Sequence, residues 1–332
     1  MIYLIYIYSF NFQNVRLGVI SKILDKKWVE FGIIISMIVV VSTIFFTPNF
    51  LLIKKITAHA FEAVILFLAS AMAFLIINKP RIMFTCMAMA MILSLYLKQK
   101  SNSGIPAFLL GRKNDFSICQ VTISGGADTY NEFTTKLINS GAEIIQIQEN
   151  TPDWMEVIKN SLAKEYPHTA ELNRIDPFGM IIFSKFPIKK IDTLVYKDTT
   201  SMFSFPALKI KMDIQGKEVH FISCHLLPRL NNTDFEKVNG FFTTLTQWLK
   251  NNEGKTVFVS GELGLTPWDY TLQQFISESN LKLSRREPHL FVQPFEHILY
   301  SPDLDCIKLN EVLTPGRNHI GIQGEYIFSK LN

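Results

Sequence analysis

The sequence predicts an α/β domain preceded by three membrane-spanning helices, and three observations support this prediction. Hydrophobic residues make up 48% of the 332 residues, a high share for a wholly soluble protein, and nearly all of the excess lies before residue 100. That part contains three apolar stretches separated by charged breaks. From residue 115 onward, short strand-like runs alternate with helical patterns, as is typical of sheets covered by helices.

The apolar stretches cover residues 29–52, 61–77 and 82–97. A helix rises about 1.5 Å per residue, so about 20 apolar residues cross the hydrocarbon core of a bilayer. The first stretch exceeds this length, and the two shorter ones are flanked by Lys or Arg residues. The alternative is a helical bundle within a soluble domain, but such helices need a polar stripe that these stretches lack. We therefore expect an integral membrane protein, with the lipid bilayer as its first partner.

These patterns divide the chain into four parts. Residues 1–28 form a cytoplasmic or interfacial N-terminal segment, residues 29–97 hold the three spans, residues 98–114 are a polar linker, and residues 115–332 form the α/β domain. Lys and Arg are slightly more frequent on the side of the N-terminus, which favours a cytoplasmic N-terminus. With three spans, the C-terminal domain then lies outside the cytoplasm. A membrane protein partner is a further prediction.

Nine strands and four helices are predicted in the domain. The strands cover residues 116–123, 143–148, 179–184, 207–214, 219–225, 256–260, 297–300, 306–312 and 326–329. The helices cover residues 130–139, 154–163, 234–250 and 270–277. The four cysteines lack the spacing of zinc ligands, so we predict that they are buried thiols.

Acidic and histidine side chains stand at the ends of five predicted strands. They are Glu149, His225, Glu262, Glu296 and His319. Taken singly, each has an ordinary structural interpretation, because a Glu at a strand end is usually solvated and a lone His is usually hydrogen-bonded. Taken together, strand-end residues can converge on one cleft. Carboxylates there can hold a hard divalent cation, and imidazoles can act as acids or bases.

Six motifs between residue 115 and the C-terminus resemble, in order, those of the endonuclease/exonuclease/phosphatase superfamily. They are IIQIQEN, FGMIIFSKFPI, SCHLLP, VSGELGLTPWD, EHILYS and GRNH. The superfamily includes pancreatic-type deoxyribonucleases, abasic-site endonucleases, sphingomyelinases and inositol-polyphosphate phosphatases. The resemblance implies a four-layer α/β/β/α sandwich with the site at one edge of its two sheets. Small bacterial members with N-terminal membrane helices look most similar, which implies a bacterial inner membrane.

The resemblance also implies Mg²⁺- or Mn²⁺-dependent cleavage of a phosphoester by in-line attack of water. By position in the motifs, Glu149 would bind the metal together with Asn318. His319 would be the general base or transition-state partner, and Glu296 would orient it. His225 would contact the phosphate or the leaving group.

Several positions depart from the family pattern. Glu262 stands where an Asp normally orients the nucleophilic water, and Gly264 replaces the Asn that follows it. Thr122 replaces another Asn, so Thr122 and Gly264 are the predicted substrate-binding positions. Asn318 and Glu296 each replace an Asp. Displacing a catalytic group by about 1 Å can cost about 10²-fold, and losing one hydrogen-bond donor to the developing charge can cost about 10²- to 10³-fold.

Two functions from different classes follow. The first is an active metal-dependent phosphoesterase that hydrolyses a phosphodiester or a phosphomonoester. The alternative is a catalytically inactive family member that binds a phosphorylated ligand or another partner, as the departures at Thr122, Gly264 and Asn318 suggest. A nucleic-acid substrate is compatible with the family. However, the net charge is only +4, and the sequence shows no stripe of basic residues that would favour a nucleic-acid groove. A transporter is disfavoured because the spans lack central charges.

Overall fold

The computed structural model describes residues 23–46, 51–100, 111–123, 130–197, 204–226, 229, 231–284, 295–313 and 319–329. The chain divides into two compact units, Met1–Lys100 and Ser101–Asn332. The predicted N-terminal segment and linker fall largely outside the described residues, at 1–22 and 101–110.

The described part of the first unit contains four helices. They are α1 (Lys27–Phe46), α2 (Leu51–Ala58), α3 (Ala60–Ile76) and α4 (Pro80–Lys100). Two of them, α1 and α4, are long and apolar enough to cross a membrane, with mean hydropathies of 2.4 and 1.6. Only 11% of the apolar window of α1 is buried within the protein, so most of its hydrophobic side chains face outward. Exposed apolar surface of this extent suits contact with lipid.

The third predicted span differs from the expectation. Helix α3 is too short to qualify alone, and α2 and α3 qualify only as one bent pair, with an angle of 68° between them. Among the residues that the structure describes, there are therefore two candidate spans, or three if the bent pair counts as one. The first predicted span, residues 29–52, also differs from the structure. Helix α1 ends at Phe46, and Leu51 begins a separate helix that carries Lys54 and Lys55.

The second unit contains two six-stranded mixed sheets. The first has the strand order β11-β12-β1-β2-β4-β3 and the second β5-β6-β7-β8-β10-β9. The strands of the first sheet are β1 (Phe116–Thr122), β2 (Ile144–Gln148), β3 (His168–Leu172), β4 (Met180–Ser184), β11 (Leu304–Leu313) and β12 (His319–Phe328). Those of the second are β5 (Ile188–Lys197), β6 (Ser204–Ile214), β7 (Lys217–Cys224), β8 (Thr256–Glu262), β9 (Lys282–Leu283) and β10 (Glu296–Tyr300).

The sheets and helices form four layers. Apolar side chains from both sheets fill the space between them, and the aromatic ring of Phe258 lies 5.7 Å from that of Phe116 and 4.9 Å from that of Tyr326. Helices α5 (Tyr130–Asn139) and α6 (Pro152–Leu162) cover the first sheet through a second apolar cluster. Helices α7 (Asn232–Lys250) and α8 (Tyr270–Ser279) cover the second sheet. The predicted α/β/β/α sandwich is confirmed.

All nine predicted strands and all four predicted helices of this unit are present, but β3, β5 and β9 were not predicted. Strands β3, β5 and β9 stand at sheet edges, where few side chains are buried and the apolar pattern is weak. Strand β5 shows this clearly, because Ile191 and Val195 are exposed and three of its ten residues are lysines. Lysines on an edge strand also discourage pairing with another chain.

Candidate functional site

The strand ends that carry the predicted residues lie at the same edge of each sheet. In the first sheet, β1 and β2 are parallel and end at Thr122 and Gln148, directly before Glu149. The antiparallel strand β12 begins at this edge with His319. In the second sheet, β7 and β8 are likewise parallel, and β10 begins beside their ends.

Three side-chain contacts join these two edges, and each contact pairs one residue of the first sheet with one of the second. His225 Nε2 lies 3.3 Å from Glu149 Oε1. The hydroxyl of Thr122 donates a hydrogen bond of 3.2 Å to Glu262 Oε2. These contacts bring residues that are 76 and 140 positions apart in the sequence into one site.

The third contact joins His319 and Glu296, whose Nε2 and Oε1 atoms are 3.2 Å apart. Glu296 is also the register partner of Glu262 on the neighbouring strand, and directly opposed side chains in antiparallel strands have Cβ atoms about 4.5–5.5 Å apart. The His319–Glu296 pair therefore adjoins the other two pairs. A second carboxylate oxygen, Glu311 Oε2, lies 4.0 Å from His319 Nδ1.

Glu149, His225 and Glu262 form a set that fits a divalent cation. One potential ligand atom from each residue lies within 4.8 Å of the others. His225 is 2% exposed, yet neither of its ring nitrogens makes a hydrogen bond within the part of the chain that the structure describes. A buried imidazole between two carboxylates gains from a bound cation, because buried polar groups without partners are costly. Two oxygens and one nitrogen suit Mg²⁺ or Mn²⁺.

Two residues of the site have backbone conformations with positive φ. Glu149 adopts a left-handed conformation with φ of 56°, which few residues other than glycine accept. Gly261, directly before Glu262, has φ of 147°, and a Cβ atom added there would lie 1.8 Å from the carbonyl oxygen of Cys224. The close approach of these two strand ends requires glycine and brings Glu262 near His225.

A buried glutamine that was not among the predicted site residues holds the strand ends together. The Gln148 side chain accepts a 2.8 Å hydrogen bond from the Glu262 backbone N–H and donates one of 2.8 Å to the Cys224 carbonyl. Gln120 donates a further bond of 3.3 Å to Gln148. The sequence signal was the alternation of polar and apolar residues in IIQIQ, which points polar side chains of a buried strand toward the other sheet.

The pKa of Glu262 is raised above its ordinary value. Burial is the largest cause, and the neighbouring carboxylates of Glu296 and Glu149 raise the pKa further. His225 and the hydrogen bond from Thr122 oppose the shift. The carboxylates of Glu149, Glu262 and Glu296 act on one another at this edge, and a bound cation would relieve their repulsion.

The raised pKa leads to a stability prediction for Glu262→Gln. The folded protein holds the Glu262 proton more tightly than the unfolded chain, so ionised Glu262 lowers stability as the pH rises through the folded pKa. The uncharged amide of the substituted side chain removes this loss of stability, and its oxygen can still accept the hydrogen bond from Thr122. We expect thermal unfolding in detergent and EDTA to show a more stable variant at neutral pH, with the gain vanishing below the ordinary Glu pKa. The exposed control Glu156→Gln should show no such pH-dependent gain, and a variant less stable than wild type at neutral pH would contradict the prediction.

Two predicted positions require separate comment. Gly264 follows β8, and its φ of 61° lies in the left-handed region. Because it is a glycine, it contributes no side chain to the site. Asn318, the predicted second metal ligand, lies outside the described residues. The described geometry instead groups His225 with Glu149 and Glu262.

No protein-family profile matches the chain, and no curated protein matches it in sequence. Solved structures do match its C-terminal part. An endonuclease/exonuclease/phosphatase from Beutenbergia cavernae is 12% identical with a TM-score of 0.53, over 66% of this chain and 72% of that one. The human Nocturnin catalytic domain with a bound sulfate anion is 16% identical with a TM-score of 0.53, over 64% and 94%. A mannosyl-6-phosphatase from Bacteroides thetaiotaomicron is 11% identical with a TM-score of 0.50, over 64% and 100%.

These similarities show that the C-terminal unit has the endonuclease/exonuclease/phosphatase fold. The resemblance found in six short motifs thus extends to the whole arrangement of strands and helices. Since a fold can carry many functions, the chemistry must be argued from the site.

Proposed function

We propose that this protein is a membrane-anchored phosphoesterase that depends on a divalent cation. The observation that carries the proposal is the convergence of Glu149, His225 and Glu262 at the edge where both sheets end. Two neighbours of the same fold support phosphate chemistry, because one is a mannosyl-6-phosphatase and the other was solved with a sulfate anion. The candidate spans α1 and α4 support the anchor.

The cation would be held by one oxygen of Glu149, one oxygen of Glu262 and one nitrogen of His225. When bound, Mg²⁺ or Mn²⁺ neutralises charge on the phosphate group and makes its phosphorus atom easier to attack. The nitrogen ligand favours Mn²⁺ over Mg²⁺, since imidazole suits transition metals and Mg²⁺ prefers oxygen.

The His319–Glu296 pair would supply the base. Glu296 contacts the imidazole at Nε2 and orients it, and the imidazole would take a proton from the attacking water. Both side chains are mostly buried, at 19% and 14% exposure, so the pair keeps its orientation while remaining open to solvent. Burial raises the pKa of Glu262, which makes this carboxyl a second candidate for proton exchange.

The site also explains why activity should be low. Gly264 supplies no hydrogen-bond donor where related folds use Asn, so developing charge on the phosphate is less well stabilised. This favours a second candidate function, the binding of a phosphorylated ligand without turnover. The two functions share the cation and the phosphate, and they differ only in catalysis.

Gly264→Asn tests this explanation. Asn is among the few side chains that tolerate the left-handed region in which residue 264 lies, so the backbone can keep its path. We expect kcat to rise by about 10²-fold, because one well-placed donor is worth about 10²–10³-fold. Gly264→Ala is the matched control, since it adds a Cβ atom without a donor and should not raise kcat. Equal rates in the Asn and Ala variants would contradict the explanation.

The proposal itself is tested with the full-length protein in neutral detergent. Binding of Mg²⁺ and Mn²⁺ is measured by calorimetry, and hydrolysis is measured with bis-p-nitrophenyl phosphate, p-nitrophenyl phosphate, DNA and phospholipid. Metal-dependent turnover of any of these supports the phosphoesterase. Cation binding without turnover, for the wild type and for Gly264→Asn, supports the binding function. Absence of cation binding contradicts both.

A further inference from the structure

A second charged pocket lies away from the candidate site, on the helix-covered face of the second sheet. It is open and has a volume of about 190 Å³. Four lysines line it, from β5, β6 and the turn before β8, together with a histidine of β7 and a tryptophan of α7. These residues are Lys190, Lys209, Lys211, Lys255, His220 and Trp248.

The basic residues of the pocket stand in one row across three strands. Lys190 is the register partner of Lys211, and Lys211 is the register partner of His220. Like charges directly opposite each other destabilise a sheet. The opposition of Lys190 and Lys211 is therefore unfavourable unless anions lie beside them.

Carboxylates in the structure neutralise only part of this charge. Lys209 pairs with Asp192 at 2.9 Å, and Lys211 pairs with Glu218 at 2.9 Å. Lys190 and Lys255 are exposed, and neither forms a salt bridge with a carboxylate within the residues that the structure describes. Lys255 donates a 2.6 Å hydrogen bond to the side-chain oxygen of Asn252, and the charge of Lys190 acts on Asp192, which already pairs with Lys209. Four lysines and two carboxylates leave two formal positive charges at the pocket.

His220 reports the electrostatic field of the pocket. Its side chain is 8% exposed and its ring lies 5.7 Å from the Trp248 ring. The pKa of His220 is lowered, first by burial and then by the charge of Lys255, with Lys211 adding to the effect and Glu218 opposing it. A bound anion would offset the lysines and reverse this part of the shift.

We propose that this pocket binds a phosphate group, with Lys190, Lys211 and Lys255 as cationic contacts and Trp248 as an apolar wall. A dianionic phosphate matches the two uncompensated charges and accepts several charge-assisted hydrogen bonds. The phosphate is either free in solution or the headgroup of an anionic lipid. The proposal is independent of the candidate catalytic site, which uses other residues and a cation.

The first test is calorimetric titration of the full-length protein in neutral detergent with inorganic phosphate, at low ionic strength and with EDTA present. We expect Lys190→Gln/Lys255→Gln to weaken binding by at least about tenfold, because two charge-assisted contacts to the anion are lost. Lys164→Gln/Lys250→Gln is the matched control with the same change in charge outside the pocket, and it should bind as the wild type does. Binding should also survive Glu149→Gln, which separates this pocket from the candidate catalytic site.

The second test follows the pKa of His220 by NMR of histidine-labelled protein, with His220→Asn used to assign the signal. If the ligand is free phosphate, the pKa of His220 should rise when inorganic phosphate is added to the protein in phosphatidylcholine nanodiscs. If the ligand is a lipid headgroup, the pKa should rise in nanodiscs that contain phosphatidic acid and no free phosphate. No rise in either case, or wild-type phosphate binding by Lys190→Gln/Lys255→Gln, would overturn the proposal.

Discussion

Glu149→Gln is expected to lower the rate of phosphoester hydrolysis by about 10²- to 10⁴-fold and to weaken cation binding. The substitution keeps the size of the side chain but removes the negative charge that faces His225 and Glu262. A bound cation contributes several kcal/mol to stabilising the transition state of such a reaction, and each 1.36 kcal/mol corresponds to tenfold in rate. Calorimetry with Mn²⁺ and a rate assay with a chromogenic phosphodiester measure the two effects separately.

The matched control is Glu156→Gln, on the exposed face of α6. It makes the same chemical change at an exposed position of a helix, and it should alter neither cation affinity nor rate. A Glu149→Gln protein that binds Mn²⁺ and hydrolyses substrate as the wild type does would exclude Glu149 as a metal ligand. Loss of activity with unchanged affinity would instead assign it a role in positioning the substrate.

The candidate site is built from strand ends, and this is why its residues can be proposed from the sequence. Glu149, His225 and Glu262 were each recognised as polar residues at the end of an apolar run. Since parallel strands within a sheet end at the same edge, the topology brings such residues together without further information. Gly264 could likewise be identified as a departure from the family motif, because the spacing of that motif is fixed and Asn is expected at this position.

The pairing across the two sheets could not be predicted in the same way. Which residue of the first sheet faces which residue of the second depends on how the sheets pack, and this is decided by bulky interior residues such as Phe258 and Tyr326. The support given by Gln148 was missed for the same reason, since its two shortest hydrogen bonds, each of 2.8 Å, are with backbone groups of the second sheet. Because almost every residue supplies the same backbone groups, the sequence does not indicate which of them a side chain contacts.

The limits of the fold prediction have a different cause. Interior strands were found because they are almost entirely apolar, whereas the edge strand β5 is half exposed and rich in lysine. The first apolar stretch seemed continuous to residue 52, but α1 ends at Phe46 and a new helix begins at Leu51. Hydrophobicity alone does not indicate where a helix ends within an apolar run.

His319→Ala is expected to lower kcat by about 10²- to 10⁴-fold, the usual contribution of a general acid or base, while leaving cation affinity unchanged. His319 contacts Glu296 and Glu311 and is not part of the three-residue set that fits the cation. The change should therefore appear in kcat more than in KM. It should also remove the limb of the pH–rate profile that reports the base.

Glu296→Gln provides the companion measurement, because the amide keeps a hydrogen bond to His319 but loses the charge that favours the protonated imidazole. We expect a smaller decrease in kcat, about 10- to 100-fold, as for other groups that orient a functional imidazole. His168→Ala, on the edge strand β3, is the control for a histidine outside the site. If His319→Ala kept the kcat and the pH profile of the wild type, the base would have to be sought elsewhere, and Glu262, whose pKa is raised by burial, would be the next residue to test.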